Sequence, residues 1–156
     1  MSECRPNGGL GVLRLLVFLQ ILCFFTNAVE NFFATFRMTF VGRKGAALVK
    51  PVAQFQNVAQ VGNLLTGFYV ICCLLFLVLL IGMTFRRPIF FRLLLVLDAI
   101  SLWLGLYGYY FWGTSGASLT ALEQVITLTE PFLSAGGLVL LLFAPSVRRL
   151  WWPRRG

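Results

Sequence analysis

Histidine is absent from this 156-residue chain, and acids are scarce, with five Asp and Glu against thirteen Lys and Arg. Without histidine there is no His-ligated haem, no His-containing zinc site and no imidazole general base. Charge of either sign is also thin, at 12% of residues, where a soluble domain carries roughly 25%. With 59% hydrophobic residues and a mean hydropathy of +0.86, lipid must be the solvent for most of the surface. The four cysteines, Cys4, Cys23, Cys72 and Cys73, show no C-x-x-C spacing, which argues against a disulfide framework. Cys72 and Cys73 fall mid-span, where a helix points neighbours about 100° apart, so they read as packing residues. Hydrolase, phosphate-loop and metal motifs are missing. We therefore expect no cofactor and no metal, and lean away from an enzyme.

What the chain has is apolar runs. Four stand out, at residues 10–29, 61–85, 93–112 and 131–147. The second is the clearest, 25 uncharged residues from Val61 to Phe85, against the roughly 20 needed to cross hydrocarbon. The length leaves room for one transmembrane domain and no separate soluble module. The expected fold is all-α, an integral membrane bundle of four transmembrane helices.

Positive charge then chooses the orientation. Four spans put Arg5, Arg14, Arg86, Arg87, Arg92, Arg148, Arg149, Arg154 and Arg155 on one side, and Arg37, Arg43, Lys44 and Lys50 on the other. Nine against four favours both termini in the cytoplasm. The excess of +8 and the pI near 10.1 come from clusters beside apolar spans, which suits anionic lipid headgroups and not nucleic acid. The tail "RRLWWPRRG" reads as an interface anchor, and Tyr107 to Trp112 as an aromatic belt at the opposite interface. An alternative start exists: Arg5 and Arg14, the apolar core Leu15 to Phe25 and then "TNA" have the form of a secretory signal cut after Ala28. That would leave three spans.

The connections differ in character. "FRRPIFFR", from Phe85 to Arg92, predicts a tight turn with Pro88 ending the second helix. Between spans one and two, "FRMTF" fits a strand period while Phe32, Phe36 and Phe40 fit a helical one, and "GRKG" suggests a turn. "PVAQFQNVAQVGN" starts with Pro51 in a favoured first-turn position. There Gln56, Gln60 and Asn63 share one face, and Val52, Phe55 and Ala59 another. This predicts an amphipathic helix running into span two, about 52 Å long if unbroken, and a face for a partner. "TALE" at Thr120 to Glu123 matches a capping box opening the fourth helix, with a kink at Pro131.

One carboxylate stands inside an apolar run. Asp98 lies about 7–9 Å below the basic turn at 1.5 Å per residue, where an ionised acid costs up to about 2.5–3.5 kcal/mol. It should face the bundle interior and find a donor. Arg14, on the cytoplasmic part of span one, is the expected partner, forming an intramembrane charge pair that sets the register of spans one and three. A relay needs several titratable stations, and the span offers one acid. Gln20, Thr26 and Asn27 are expected to hydrogen-bond between helices at roughly 1 kcal/mol each or less. Ser101 with Gly105, and Ser134 with Gly137, are small residues that let helices approach closely. Glu30, Glu123 and Glu130 read as surface neutralisation of nearby bases.

The short motifs "GGLG" at Gly8, "VGNLL" around Gly62 and Asn63, "FRRPIFFR" and "APSVRR" resemble those of small four-helix inner-membrane proteins of bacteria whose function is unknown. The resemblance covers nearly the full length, although the tryptophan that should follow Gly-Gly is absent. It implies four spans and supplies no activity.

Taken together, these residues lead us to expect a non-catalytic accessory or structural subunit of a membrane complex, acting through helix packing. Its partners would be membrane lipids and other membrane subunits or further copies of itself. Two other classes stay open: a small oligomeric ion or solute carrier using Asp98, and a small lipid-facing enzyme with acids at the outer mouth.

Overall fold

The computed structural model describes residues 8–45, 52–114 and 121–152, with side chains defined at 8–36, 60–110 and 128–152. The described residues form five helices and no strand: α1 (Gly8–Gly45), α2 (Val52–Thr84), α3 (Pro88–Thr114), α4 (Ala121–Phe143) and α5 (Pro145–Trp151). Three of them hold stretches long and apolar enough to cross a membrane, Gly8–Phe36, Gln60–Thr84 and Pro88–Tyr110. A fourth candidate is Leu128–Phe143 taken with Pro145–Trp151, two helices bent by 79°. The chain is thus all-α and compatible with a multi-pass membrane protein.

The boundaries have local causes. Phe85 and Arg86 close the end of α2 by donating their amides to the carbonyls of Gly82 and Met83. Arg86 takes a positive φ of 52°, the left-handed conformation that commonly stops a helix. Pro88 does not end α2 but opens α3, where its missing N–H would have been unbonded in any case. At the other break, Pro145 pushes the preceding Ala144 into an extended conformation, φ −76° and ψ 114°, because its ring disfavours helical geometry one residue earlier. The fourth span expected over residues 131–147 therefore divides at Ala144. Pro131 lies inside α4, which continues through it.

The segment between the first two apolar runs also departs from expectation. Of the two periods open at "FRMTF" the helical one holds, whereas the turn expected at "GRKG" does not form, and α1 runs on to Gly45. At about 57 Å for its 38 residues, α1 is far longer than a bilayer crossing requires. The amphipathic stretch from Val52 continues without interruption into span two. Pro51, Thr120 and the "GTSGAS" residues beyond Thr114 lie outside the described residues.

The chain divides into two compact units, Phe24–Leu75 and the remainder, Met1–Cys23 with Phe76–Gly156. In the first, the rings of Phe24 and Tyr69 approach to 6.4 Å, and Thr35 lies against Gly62 so closely that a Cβ there would overlap its hydroxyl. Gly62 is what lets these two helices meet. In the second unit, α3 packs along α4 and α5 touches both. Its buried residues recur at three- and four-residue intervals: Leu10, Leu13, Val17 and Gln20 on α1; Phe91, Leu94, Asp98 and Ser101 on α3. Such spacing is the stripe of a helix facing a core. Three polar residues, Gln20, Asp98 and Ser101, occupy positions on it.

A buried polar cluster as candidate functional site

On α1, Gln20 stands two turns beyond Leu13 on the same stripe, which carries its amide into the interior at 1% exposure. On α3, Asp98 follows Leu94 by one turn and is fully buried. On α4, Ser134 is fully buried as well. The Gln20 Nε2 donates to Asp98 Oδ1 at 2.8 Å and to Ser134 Oγ at 3.1 Å. One amide nitrogen therefore ties three helices together, using both of its hydrogens. Burial away from water raises the electrostatic strength of such bonds and the penalty for breaking them.

Small residues make room for this arrangement. Gly137 lies so close to the Asp98 carboxylate that a methyl group there would overlap Oδ2. Further along the same seam, a Cβ on Gly105 would crowd the Pro131 ring at 3.1–3.2 Å. Seven residues along α3, from Asp98 to Gly105, are matched by six back along α4, from Gly137 to Pro131. Gly105 on α3 thus meets α4 and Gly137 on α4 meets α3, and Leu16 of α1 faces Gly136 beside them. Ser101 and Ser134 are both buried, with Ser134 bonded to Gln20.

Arg14 is elsewhere. Its Nη2 donates to the carbonyl of Met83 at 3.2 Å, and Asp98 takes its hydrogen bond from Gln20. The expected Arg14–Asp98 pair does not form. The reason is depth: Asp98 is ten residues into α3, about 15 Å along its axis, whereas Arg14 is six residues into α1, about 9 Å. Gln20, twelve residues in, matches Asp98 better. Arg14 instead meets the carbonyl end of α2, where the helix dipole favours a cation.

Among the described residues, three side-chain polar atoms are buried without a partner: Asp98 Oδ2, Gln20 Oε1 and Arg14 Nε. Chemically, the cluster offers one carboxyl, one amide and one hydroxyl. A group of three or more His, Cys, Asp or Glu able to hold a metal ion is not present among the described residues.

Of the proposed partner-binding face, Gln60 and Asn63 are exposed on α2. Val52, Phe55, Gln56 and Ala59 lie on the same helix, but their side chains are outside the described residues, as are those of Arg37, Arg43, Lys44 and Glu123. Glu30 is exposed and Glu130 half-buried. Tyr107, Tyr109 and Tyr110 are exposed, with Tyr107 stacked on Trp103 at 5.7 Å.

A feature not anticipated from sequence is the elbow between α4 and α5. The indole Nε1 of Trp151 donates to the Leu141 carbonyl at 2.9 Å, while Val147 is fully buried. Phe143, Pro145, Arg148, Arg149 and Trp152 line a cleft of about 550 Å³ at this corner. The sequence signal was available: a proline between an apolar run and a basic, tryptophan-bearing tail. Comparison with protein-family models, curated proteins and solved structures gives no match for this chain.

Proposed function

We propose that this chain is a non-catalytic, four-span membrane protein with both termini on the cytoplasmic side, serving as an accessory or structural subunit of a membrane complex. On this reading α4 completes the fourth crossing and α5 lies along the surface. The reading is carried by the polar cluster: Gln20, Asp98 and Ser134 are buried, bonded to one another and placed on helix-packing stripes. A carboxyl in such a position holds helices in register, a use well attested for buried polar groups in helical assemblies. Support for a partner comes from α2, of whose most apolar window only 11% is buried. The exposed Gln60 and Asn63 lie at the start of that span and supply polar contacts for a neighbouring helix. Extraction in a mild detergent followed by native mass measurement tests the proposal. We expect a defined assembly with further subunits or copies; a lone monomer overturns it.

A second reading, a small oligomeric carrier, is favoured by one observation. Asp98 Oδ2 and Gln20 Oε1 are unpartnered acceptors in the same cluster, as they would be if a cation or proton visited them. Flux through purified protein in liposomes, abolished by Asp98→Asn, is the result this reading requires. Flux that is absent, or unchanged in the variant, removes it.

A further inference from the structure

We propose that the cleft at the α4–α5 elbow binds the phosphate group of an anionic membrane lipid. Arg148 and Arg149 line it together with Phe143, Pro145 and Trp152. Both arginines are exposed, and among the described residues neither guanidinium has an ion pair. From Pro131 to the last residue there is no Asp or Glu, so this corner has no acid of its own nearby in sequence to neutralise it. Guanidinium groups present a planar fork of N–H donors that matches phosphate oxygens. Trp152 caps α5 four residues past Arg148 and is 61% exposed; Phe143 is 75% exposed. The cleft therefore joins a cationic floor to an apolar, aromatic wall, the chemistry of a lipid at the level where headgroup meets acyl chain. A free phosphate would use the arginines but has nothing to gain from the wall.

The site is held in shape before any ligand arrives. The Arg148 amide donates to the Ala144 carbonyl at 2.9 Å, and the Trp152 amide to the Arg148 carbonyl at 2.9 Å. The Trp151 indole bond to Leu141 and buried Val147 secure α5 against α4. Gly9 abuts Ser146 so closely that a Cβ there would lie 2.6 Å from its hydroxyl. The volume, about 550 Å³, is in the range of roughly 300–1,000 Å³ usual for small-ligand sites.

This inference rests on the reading that the chain lies in a bilayer with α5 at its surface. It does not depend on the chain belonging to a complex. The full chain in neutral detergent is titrated with short-chain phosphatidylglycerol, with short-chain phosphatidylcholine and with inorganic phosphate, and bound ligands are counted by native mass spectrometry. Adducts are counted on whatever assembly is present, so a monomeric protein leaves this test intact. We expect phosphatidylglycerol to bind at least tenfold tighter than phosphatidylcholine, and R148Q/R149Q to erase that preference. R86Q/R87Q, which removes the same charge elsewhere, should retain it. R148K/R149K keeps the charge without the fork and should fall between, which preserves the test if the neutral pair gives poor yield. Equal loss in R86Q/R87Q would reduce the effect to net charge and overturn the site. Equal binding of the zwitterionic lipid, or displacement by inorganic phosphate at matched concentration, overturns the choice of ligand.

Discussion

Gln20 is the residue on which the buried cluster depends, because its single amide nitrogen serves acceptors on two other helices. Replacing it with leucine strands Asp98 Oδ1 and Ser134 Oγ in the interior, where an unsatisfied polar group costs about 1–3 kcal/mol. We expect Gln20→Leu to lower the thermal stability of the detergent-solubilised protein by an amount in that range. The double variant Q20L/D98L should be milder, since removing both partners leaves fewer orphans. Coupling measured by such a cycle should be large for Gln20 with Asp98 and near zero for Arg14 with Asp98, which share no contact. Gly137 gives an independent check. Gly137→Ala should destabilise by about 1–3 kcal/mol through overlap with the carboxylate, and Asp98→Ala should relieve much of it. A Gly137→Ala protein as stable as the parent would show that the seam is looser than described. At this scale the sequence was half legible. A buried Asp98 needing a donor follows from its apolar setting, and hydrogen bonding by Gln20 across helices follows from its polarity. Their pairing is not legible from the basic turn alone, because depth is set by the helix starts, which place Gln20 and not Arg14 level with Asp98.

Apolar run length locates two of the candidate spans well: residues 61–85 correspond to Gln60–Thr84, and residues 93–112 fall within α3, which starts about one turn earlier. Element boundaries were harder wherever helix formers and breakers compete. Gly42 and Gly45 close "GRKG" and suggest a turn, yet α1 passes through Gly42 and reaches Gly45, since a glycine in a helix costs only about 1 kcal/mol. Proline is the reverse case: Pro88 and Pro145 both mark helix starts, because the missing N–H costs nothing in a first turn, although a proline after an apolar run equally suggests an ending. The elbow that Pro145 creates is pinned by a specific bond, and that makes α5 testable as an element. Trp151→Phe keeps the ring but removes the donor to Leu141, a loss of about 1 kcal/mol. We expect residues 145–152 to exchange amide hydrogen several-fold faster in this variant, with exchange in α3 unchanged. Unaltered exchange at α5 would mean that its buried Val147 alone holds it.

For the whole molecule, the decisive property is the uneven distribution of basic residues along an apolar chain. Only Arg and Lys near the membrane-proximal ends bias orientation strongly, with acids contributing little. The turn between α2 and α3 carries Arg86 and Arg87, and α5 carries Arg148 and Arg149, so both corners favour the same compartment under an even number of crossings. The 79° bend after Phe143 bears directly on the count: if α4 crosses, α5 remains at the face where it emerges, and the exposed or half-buried Arg148, Arg149, Leu150 and Trp151, with Trp152 just beyond, suit an interface. If α4 instead re-entered, the last arginines would lie on the opposite side from Arg86 and Arg87. Reporter tags fused to the two ends separate these cases, read in sealed vesicles by protease accessibility. We expect both tags to be protected or exposed together, and a reporter placed in the segment after Gly45 to behave oppositely. Moving two arginines from the α2–α3 turn into that segment should invert or mix the population, because the surplus of nine bases to four would fall to near parity. Tags reachable from different compartments would mean an odd number of crossings, and α4 would then have to be a re-entrant helix held against α3 by the Asp98–Gly137 seam.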